Sequence, residues 1–276
     1  MSVRTAISLL LSLIFMFLGA HLSTAQHAVT KGLISYWPLD KDTIEGNKVK
    51  DVWGGQDALI NGDPKVVEGK IGDALEFDGD DWLLITDDIK AAKLPVKEMT
   101  VEACVYPEHF DDWGAFIGCA QDNGGFEKGW ILGTVNNTEG AGPNEFSFAV
   151  STVGADDGDG DLTYFHAGPY DTGQWYHVVG VYDGQVTRLY INGQLAVEGK
   201  NQTGEINYPD HAFFVIGVYK DDNEHFPFKG KLDEIRLYDR ALTEEEVLQN
   251  FSAQGLPVEP AGRLAITWGE IKRNIR

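Results

Sequence analysis

From Gly32 onward, apolar and polar residues alternate over short runs, and Gly, Asn, Asp or Pro separates one run from the next. A period of two, with β-branched and aromatic residues at the apolar places, marks half-buried strands. It predicts strands in GLISYWPL, DALEFDG, WLLIT, TVEACVYP, GAFIGCA, GWILGTV, NEFSFAVSTV, LTYFHAG, QWYHVVGVYDG, VTRLYING, QLAVEG, FFVIGVY and LDEIRLYDR. Asp183-Gly184 and Asn192-Gly193 suit two-residue type I′ turns, whose central residues both need positive φ, so three consecutive antiparallel strands are expected there. One helix stands out near the C-terminus. Thr243 with Glu246 forms a capping box, Leu242 can staple to Val247, and Gly255 can close the helix. Many short antiparallel strands with one terminal helix predict an all-β fold, a two-sheet antiparallel jelly-roll sandwich with one short C-terminal helix.

Composition narrows the functional classes. The 276 residues carry 22 Lys and Arg against 43 Asp and Glu, a net charge of -21. So acidic a chain argues against nucleic-acid binding, which needs a basic face to meet phosphates. A hydrophobic content of 43% suits a packed core rather than a disordered chain. Arg4, the mostly apolar run Ile7 to Ala20 and the small residues Ser23-Thr24-Ala25 read as a signal peptide over residues 1–25. The apolar run is shorter than the roughly 20 residues of a membrane span and is interrupted by Ser8 and Ser12. A secreted or extracytoplasmic protein is therefore expected, with Gln26 as its first residue.

In that compartment the two cysteines, Cys104 and Cys119, gain a second possibility. They lie in successive strand-like runs, where a disulfide bond across adjacent strands is feasible. Two separate buried thiols, behaving as small hydrophobes, fit the spacing equally well.

Four segments, in order, resemble the laminin-G-like jelly-roll domains of the concanavalin A-like lectin/glucanase superfamily. They are GLISYWPLD (Gly32 to Asp40), KIGDALEFDGDDWL (Lys70 to Leu83), WYHVVGVYDGQVTRLYINGQLA (Trp175 to Ala196) and GKLDEIRLYDRALTEEEV (Gly230 to Val247). The resemblance spans residues 31–255 and leaves 256–276 as a linker and basic tail. The family often has Trp where this chain has Cys104, a departure that favours a covalent partner for that cysteine. The resemblance implies two curved antiparallel sheets, secretion, carbohydrate binding or a protein ligand, and often a structural calcium ion.

Calcium takes about six to eight oxygen ligands. The resemblance assigns metal binding to Asp233 in KLDEIRLY, to the Gly79 carbonyl and Asp78 in FDGDD, and to Asp40 at the N-terminal end of the site. Alternation puts Asp233 in phase with Ile235 and Leu237, toward the core, where a carboxylate needs a cation or several N–H donors. ADDGDGD (Ala155 to Asp161) lacks EF-hand spacing and reads as a solvated hairpin tip, with a second surface cation site beside Gln121-Asp122-Asn123 as the weaker alternative.

No strand carries the E-x-D-x-x-E carboxylates of glycan-cleaving jelly rolls, and no other catalytic motif is present. His177 reads as a strand residue rather than a general base. Trp53, Trp82, Trp113, Trp130, Tyr164 and Tyr170 could stack on sugars, though core packing is the stronger explanation for any one of them. The tail could add a strand elsewhere through Leu264, Ile266 and Trp268, or simply fray. The expectation is a secreted, non-catalytic binding module for a glycan or an extracellular protein, with ligand-binding residues unassigned. The competing class is a degenerate or unrecognised glycan-active enzyme, which would need a pair of carboxylates converging in a cleft.

Overall fold

A computed structural model describes residues 27–253, except 111 and 156–160. β1 (Leu33–Trp37) leads through a short 3-10 turn into β2 (Ile44–Glu45), β3 (Lys48–Val49), β4 (Ala58–Asn61) and β5 (Lys65–Glu68). Then come β6 (Asp73–Asp78), β7 (Trp82–Thr86) and the long strands β8 (Met99–Pro107), β9 (Trp113–Asp122) and β10 (Glu127–Val135). β11 (Glu145–Val150), β12 (Thr163–Ala167), β13 (Tyr176–Tyr182), β14 (Thr187–Ile191) and β15 (Gln194–Gly199) follow. β16 (Phe213–Ile216), β17 (Val218–Lys220), β18 (His225–Pro227), β19 (Lys229–Tyr238) and α1 (Glu244–Ser252) complete the described chain.

Two antiparallel sheets pack face to face. The first runs β15-β14-β13-β8-β19-β6-β5, with β1 also on β19; the second runs β12-β11-β10-β9-β16-β7-β4-β3-β2. Alternation decides what lies between them. Val101, Ala103 and Val105 of β8 meet Trp130, Leu132, Phe146 and Phe148 of the second sheet in one core. Thr100, Glu102 and Cys104 take the other face of β8, where α1 packs through Val247 and the staple residue Leu242. The capping box forms as expected, with the Thr243 side chain accepting from the Glu246 N–H and the Glu246 carboxylate accepting from the Thr243 N–H.

Every strand-like run of the sequence becomes a strand, but several details differ. Asn192 and Gly193 have φ of 52° and 76° and form the expected tight turn. The Asp183-Gly184 connection is instead a four-residue loop between paired Tyr182 and Thr187. There the Asp183 carboxylate accepts from the N–H groups of Gln185 and Val186, so only Gly184 needs positive φ. FFVIGVY divides into β16 and β17 at Gly217, φ 81°. A bulge between Asp233 and Arg236 in β19, with Glu234 at φ 55°, shifts the alternation there. Leu232 and Ile235 both enter the core, so Asp233 lies on the outward face beside Cys104, out of phase with Ile235.

The disulfide expectation is corrected. Cys104 and Cys119 are free, buried thiols in different sheets. Cys119 points into the core and Cys104 away from it, so the sequence neighbours β8 and β9 are not paired strands. Gly255, the signal peptide over residues 1–25 and the 256–276 tail lie outside the described residues. Among the described residues no helix is long and apolar enough to cross a membrane.

Candidate functional site

The outward face of the second sheet carries a groove across β9 to β12. Its floor is kept low by Gly114 and Gly133; a Cβ on Gly133 would stand 2.0 Å from the Gly114 carbonyl oxygen. Alternation brings Trp113 of β9, Glu127 and Ile131 of β10, Ser147 of β11 and Tyr164 of β12 to this face. The β17–β18 hairpin lies against β9 and adds Tyr219 and Phe226, paired in register and stacked 5.9 Å apart. Trp113 and Tyr164 meet edge to face at 5.4 Å. The rings and floor enclose about 200 Å³, into which Asp122, Glu127, Glu139 and Glu224 also project. A wider cleft of about 850 Å³, with Asn136, Asn137 and Lys229 in its lining, adjoins across Trp113 and Phe226.

Glu127 stands out electrostatically. The Tyr164 hydroxyl donates to its carboxylate, its own N–H donates to Asp161 Oδ1 at 2.6 Å, and Asp122 sits opposite it in register. Burial, aided by the charges of Asp122, Glu139 and Asp161 and opposed by the Tyr164 hydrogen bond, pushes its carboxyl up to about 7. Burial, Asp221 and Asp122 also raise Glu224. Ser147, only 4% exposed, lines the same cavity with a hydroxyl that has no hydrogen-bond partner.

The other outward face, beneath α1, holds a buried ionic network. Arg236 Nη1 lies 2.8 Å from Glu102 Oε1, and Nη2 pairs with Glu234. Tyr36 donates to Glu234 at 2.6 Å, and Asn250 donates to both oxygens of Glu102. Burial works to raise the Glu102 carboxyl, but His177 and Arg236 outweigh it and hold the group down to about 2. His177 is 4% exposed, with Nε2 3.4 Å from Glu102. It is a buried strand residue beside this network, and with Glu234, Arg236 and Asn250 it lines a cavity of about 310 Å³.

The expected metal ligands do not all converge. Asp233 Oδ2 accepts from the N–H groups of Lys70 and Ile71 at 2.9 and 3.0 Å, while the buried Oδ1 has no partner. Burial and then the Glu234 charge push its carboxyl up to about 8, with Asp40 contributing from nearby. Asp40 Oδ1 accepts from the Asp73 N–H at 2.7 Å, at the other end of the same loop. Asp78, by contrast, pairs with Lys229. That is four residues from Asp233, roughly 13 Å at about 3.3 Å per residue. Gly79 lies past the end of β6, on the wider cleft. Asp233 and Asp40 thus hold opposite ends of one loop, Asp233 with one buried oxygen free, whereas Asp78 and Gly79 do not join them. Among the described residues no three His, Cys, Asp or Glu side chains gather as a metal cluster.

Residues 77–248 match the family model described as the concanavalin A-like lectin/glucanases superfamily. The chain belongs to this superfamily. Pappalysin-1 of Mus musculus is 26% identical over 151 residues, 53% of this chain, and the human protein is 25% identical over 150. This chain spans 9% of the length of those relatives. Domain 4 of AbnA, a GH43 extracellular arabinanase from Geobacillus stearothermophilus solved with arabinotriose, superimposes with a TM-score of 0.56 at 22% identity. That match covers 79% of this chain and 97% of the arabinanase domain. Trypanosoma rangeli sialidase, solved with a difluoro-KDN ligand, gives 0.59 at 17% identity over 82% of this chain and 33% of the sialidase. These likenesses establish the superfamily's two-sheet fold.

Within that fold the six candidate aromatics separate. Trp130 and Tyr170 are core residues, Trp53 stands 47% exposed on a loop, and Trp82 meets His225 edge to face. Only Trp113 and Tyr164 enter the groove. Tyr219, Phe226, Glu127 and Ser147 were not singled out from the sequence. Tyr219 and Phe226 become partners only when β17 pairs with β18. Of the acidic segment Ala155 to Asp161, residues 156–160 lie outside the described residues; Asp161 adjoins the 122–127 turn through Glu127.

Proposed function

We propose that the chain is an exported glycan-binding module whose site is the groove on β9 to β12. The observation that carries this reading is a single cavity in which aromatic rings and hydrogen-bonding carboxylates converge. Sugars present apolar ring faces to aromatics and hydroxyls to acceptors, and this lining offers both. The bound arabinotriose of the arabinanase domain supports a sugar over an extracellular protein as the ligand. A glycan-array screen with and without calcium tests it. Retention of defined glycans that is lost in Trp113→Ala supports the reading, and no retention on any glycan overturns it.

A second reading has one specific observation behind it. Glu127 holds a proton up to about pH 7 and faces Asp122 across β9 and β10, the pairing of a protonated acid with a carboxylate that glycoside cleavage uses. Release of reducing sugar from an array-positive glycan by the wild type, and not by Glu127→Gln, would favour this enzyme reading.

Calcium is part of the same proposal, held by Asp233 and Asp40 with backbone carbonyls rather than by Asp78 and Gly79. Its role there is structural, joining β19 to the segment after β1. Export rests on the signal peptide over residues 1–25, and the domain on residues 31–255.

A further inference from the structure

We propose that the groove selects glycans with free amino groups, taking the ammonium of an unacetylated amino sugar among its carboxylates and the sugar ring against its aromatics. This rests on the glycan-binding reading and narrows it. Among the described residues, the charged side chains lining the cavity are Asp122, Glu127, Glu139 and Glu224, with no Lys, Arg or His in the lining. Lys229 and His109 belong to the neighbouring cleft beyond Trp113 and Phe226, and Lys128 of β10 lies over the Phe126 ring. The elements behind the lining add acids instead of cations. Asp161 holds the Glu127 N–H. Asp221 accepts from the Tyr219 hydroxyl and from the N–H groups of Asn223 and Glu224. Four carboxylates therefore share one cavity with no internal counter-charge.

Ser147 supplies an independent mark of a missing ligand. Its hydroxyl is buried at the cavity wall and unpartnered, a state that costs free energy unless a ligand completes it. An ammonium group would donate to the carboxylates in charge-assisted bonds about twice as strong as neutral ones, while Ser147, set by register opposite Gly133 and six residues along β10 from Glu127, meets another polar group of the same ligand. Aromatic faces also attract cations, and Trp113, Tyr164, Tyr219 and Phe226 supply them here. The cavity of about 200 Å³ holds roughly seven waters at about 30 Å³ each, space for one pyranose ring. Sialic acids, uronic acids and sulfated sugars would bring like charge into this lining, and an N-acetyl group would remove the cation while adding bulk.

The test is calorimetric titration of the full chain, near neutral pH and physiological ionic strength, with four probes. They are a glucosamine tetramer, its fully N-acetylated form, cellotetraose and tetralysine. The glucosamine tetramer should bind about tenfold or more tighter than either neutral sugar, and Glu127→Gln combined with Glu224→Gln should remove that advantage while leaving the thermal melt intact. A neutral sugar binding as tightly overturns the amino-sugar preference and leaves the glycan reading standing. Tetralysine binding as tightly shows bulk charge attraction and overturns it too, as does unchanged affinity in Trp113→Ala, which places the ligand elsewhere. If no sugar binds, the glycan reading itself fails.

Discussion

The two outward faces of the sandwich treat carboxylates in opposite ways. Beneath α1, Glu102 and Glu234 are buried with Arg236 between them, and Tyr36 and Asn250 complete their hydrogen bonds. At the groove over β9 to β12, Asp122, Glu127, Glu139 and Glu224 share an open cavity with no cationic side chain in its lining among the described residues. A buried carboxylate persists only with a paired charge, because removing one partner strands the other in a low dielectric. An open one can stay unpaired, but at the cost of a raised pKa, as at Glu127. What separates a structural acid from a binding one in this molecule is its counter-charge and its access, since Glu102 and Glu127 both sit on outward-facing strand positions.

The sharpest way to break this comparison is Arg236→Met. It leaves Glu102 and Glu234 buried and uncompensated, a loss of about 3–5 kcal/mol and of roughly 10 °C in Tm for a domain of this size, read by thermal or urea melts. Glu127→Gln in the open groove should cost no stability; equal losses at both places would erase the distinction.

Chelation comes next. A ligand that binds only the folded state stabilises it by about 2.7 kcal/mol at a hundredfold excess over Kd, so chelator should lower Tm by several degrees. Asp233→Asn should abolish that response and Asp78→Asn should preserve it. Because the Asp233 carboxyl is raised to about 8, protons compete with the cation, and the calcium effect should grow as pH rises toward and past that value. Identical melts in calcium and chelator would remove the metal.

Trp113→Ala should weaken glycan binding by about 10- to 100-fold, the value of burying one aromatic face, with the melting curve unchanged. A parallel loss of stability would make Trp113 a packing residue.

The last effect is on pH dependence. The Glu127 carboxyl rises from 4.5 to about 7 on folding, so the folded form keeps a proton that the unfolded chain releases. The stability this contributes is whole below about pH 4.5 and lost as pH rises through about 7. Urea midpoints of the wild type should therefore fall more steeply between pH 5 and 8, on the order of these limits, than those of Glu127→Gln.

The strand pattern, the capping box at Thr243 and the tight turn at Asn192-Gly193 were legible in the sequence because each depends on neighbours within a few residues. Short, exposed β4 and β5 carry no clear sequence signal, since little of their surface is buried to enforce alternation. The direction of Asp233 departs from simple alternation because a one-residue bulge at Glu234, invisible in composition, reverses the face of every position before it. Pairing across the sheets was the larger gap. Cys104 and Cys119 are close in sequence, yet strand order assigns them to different sheets. Glu102 looks solitary in TVEACVYP until register sets it against Arg236, 134 residues away. The groove is likewise a product of long-range order, assembled from β9 to β12 and the β17–β18 hairpin. Local pattern thus determined which segments are strands and which residues are apolar, because those choices follow from the period of the backbone. Which carboxylates meet a cation and which meet only one another was decided by register between distant strands, a balance of burial and charge that exists only once the sheets have closed.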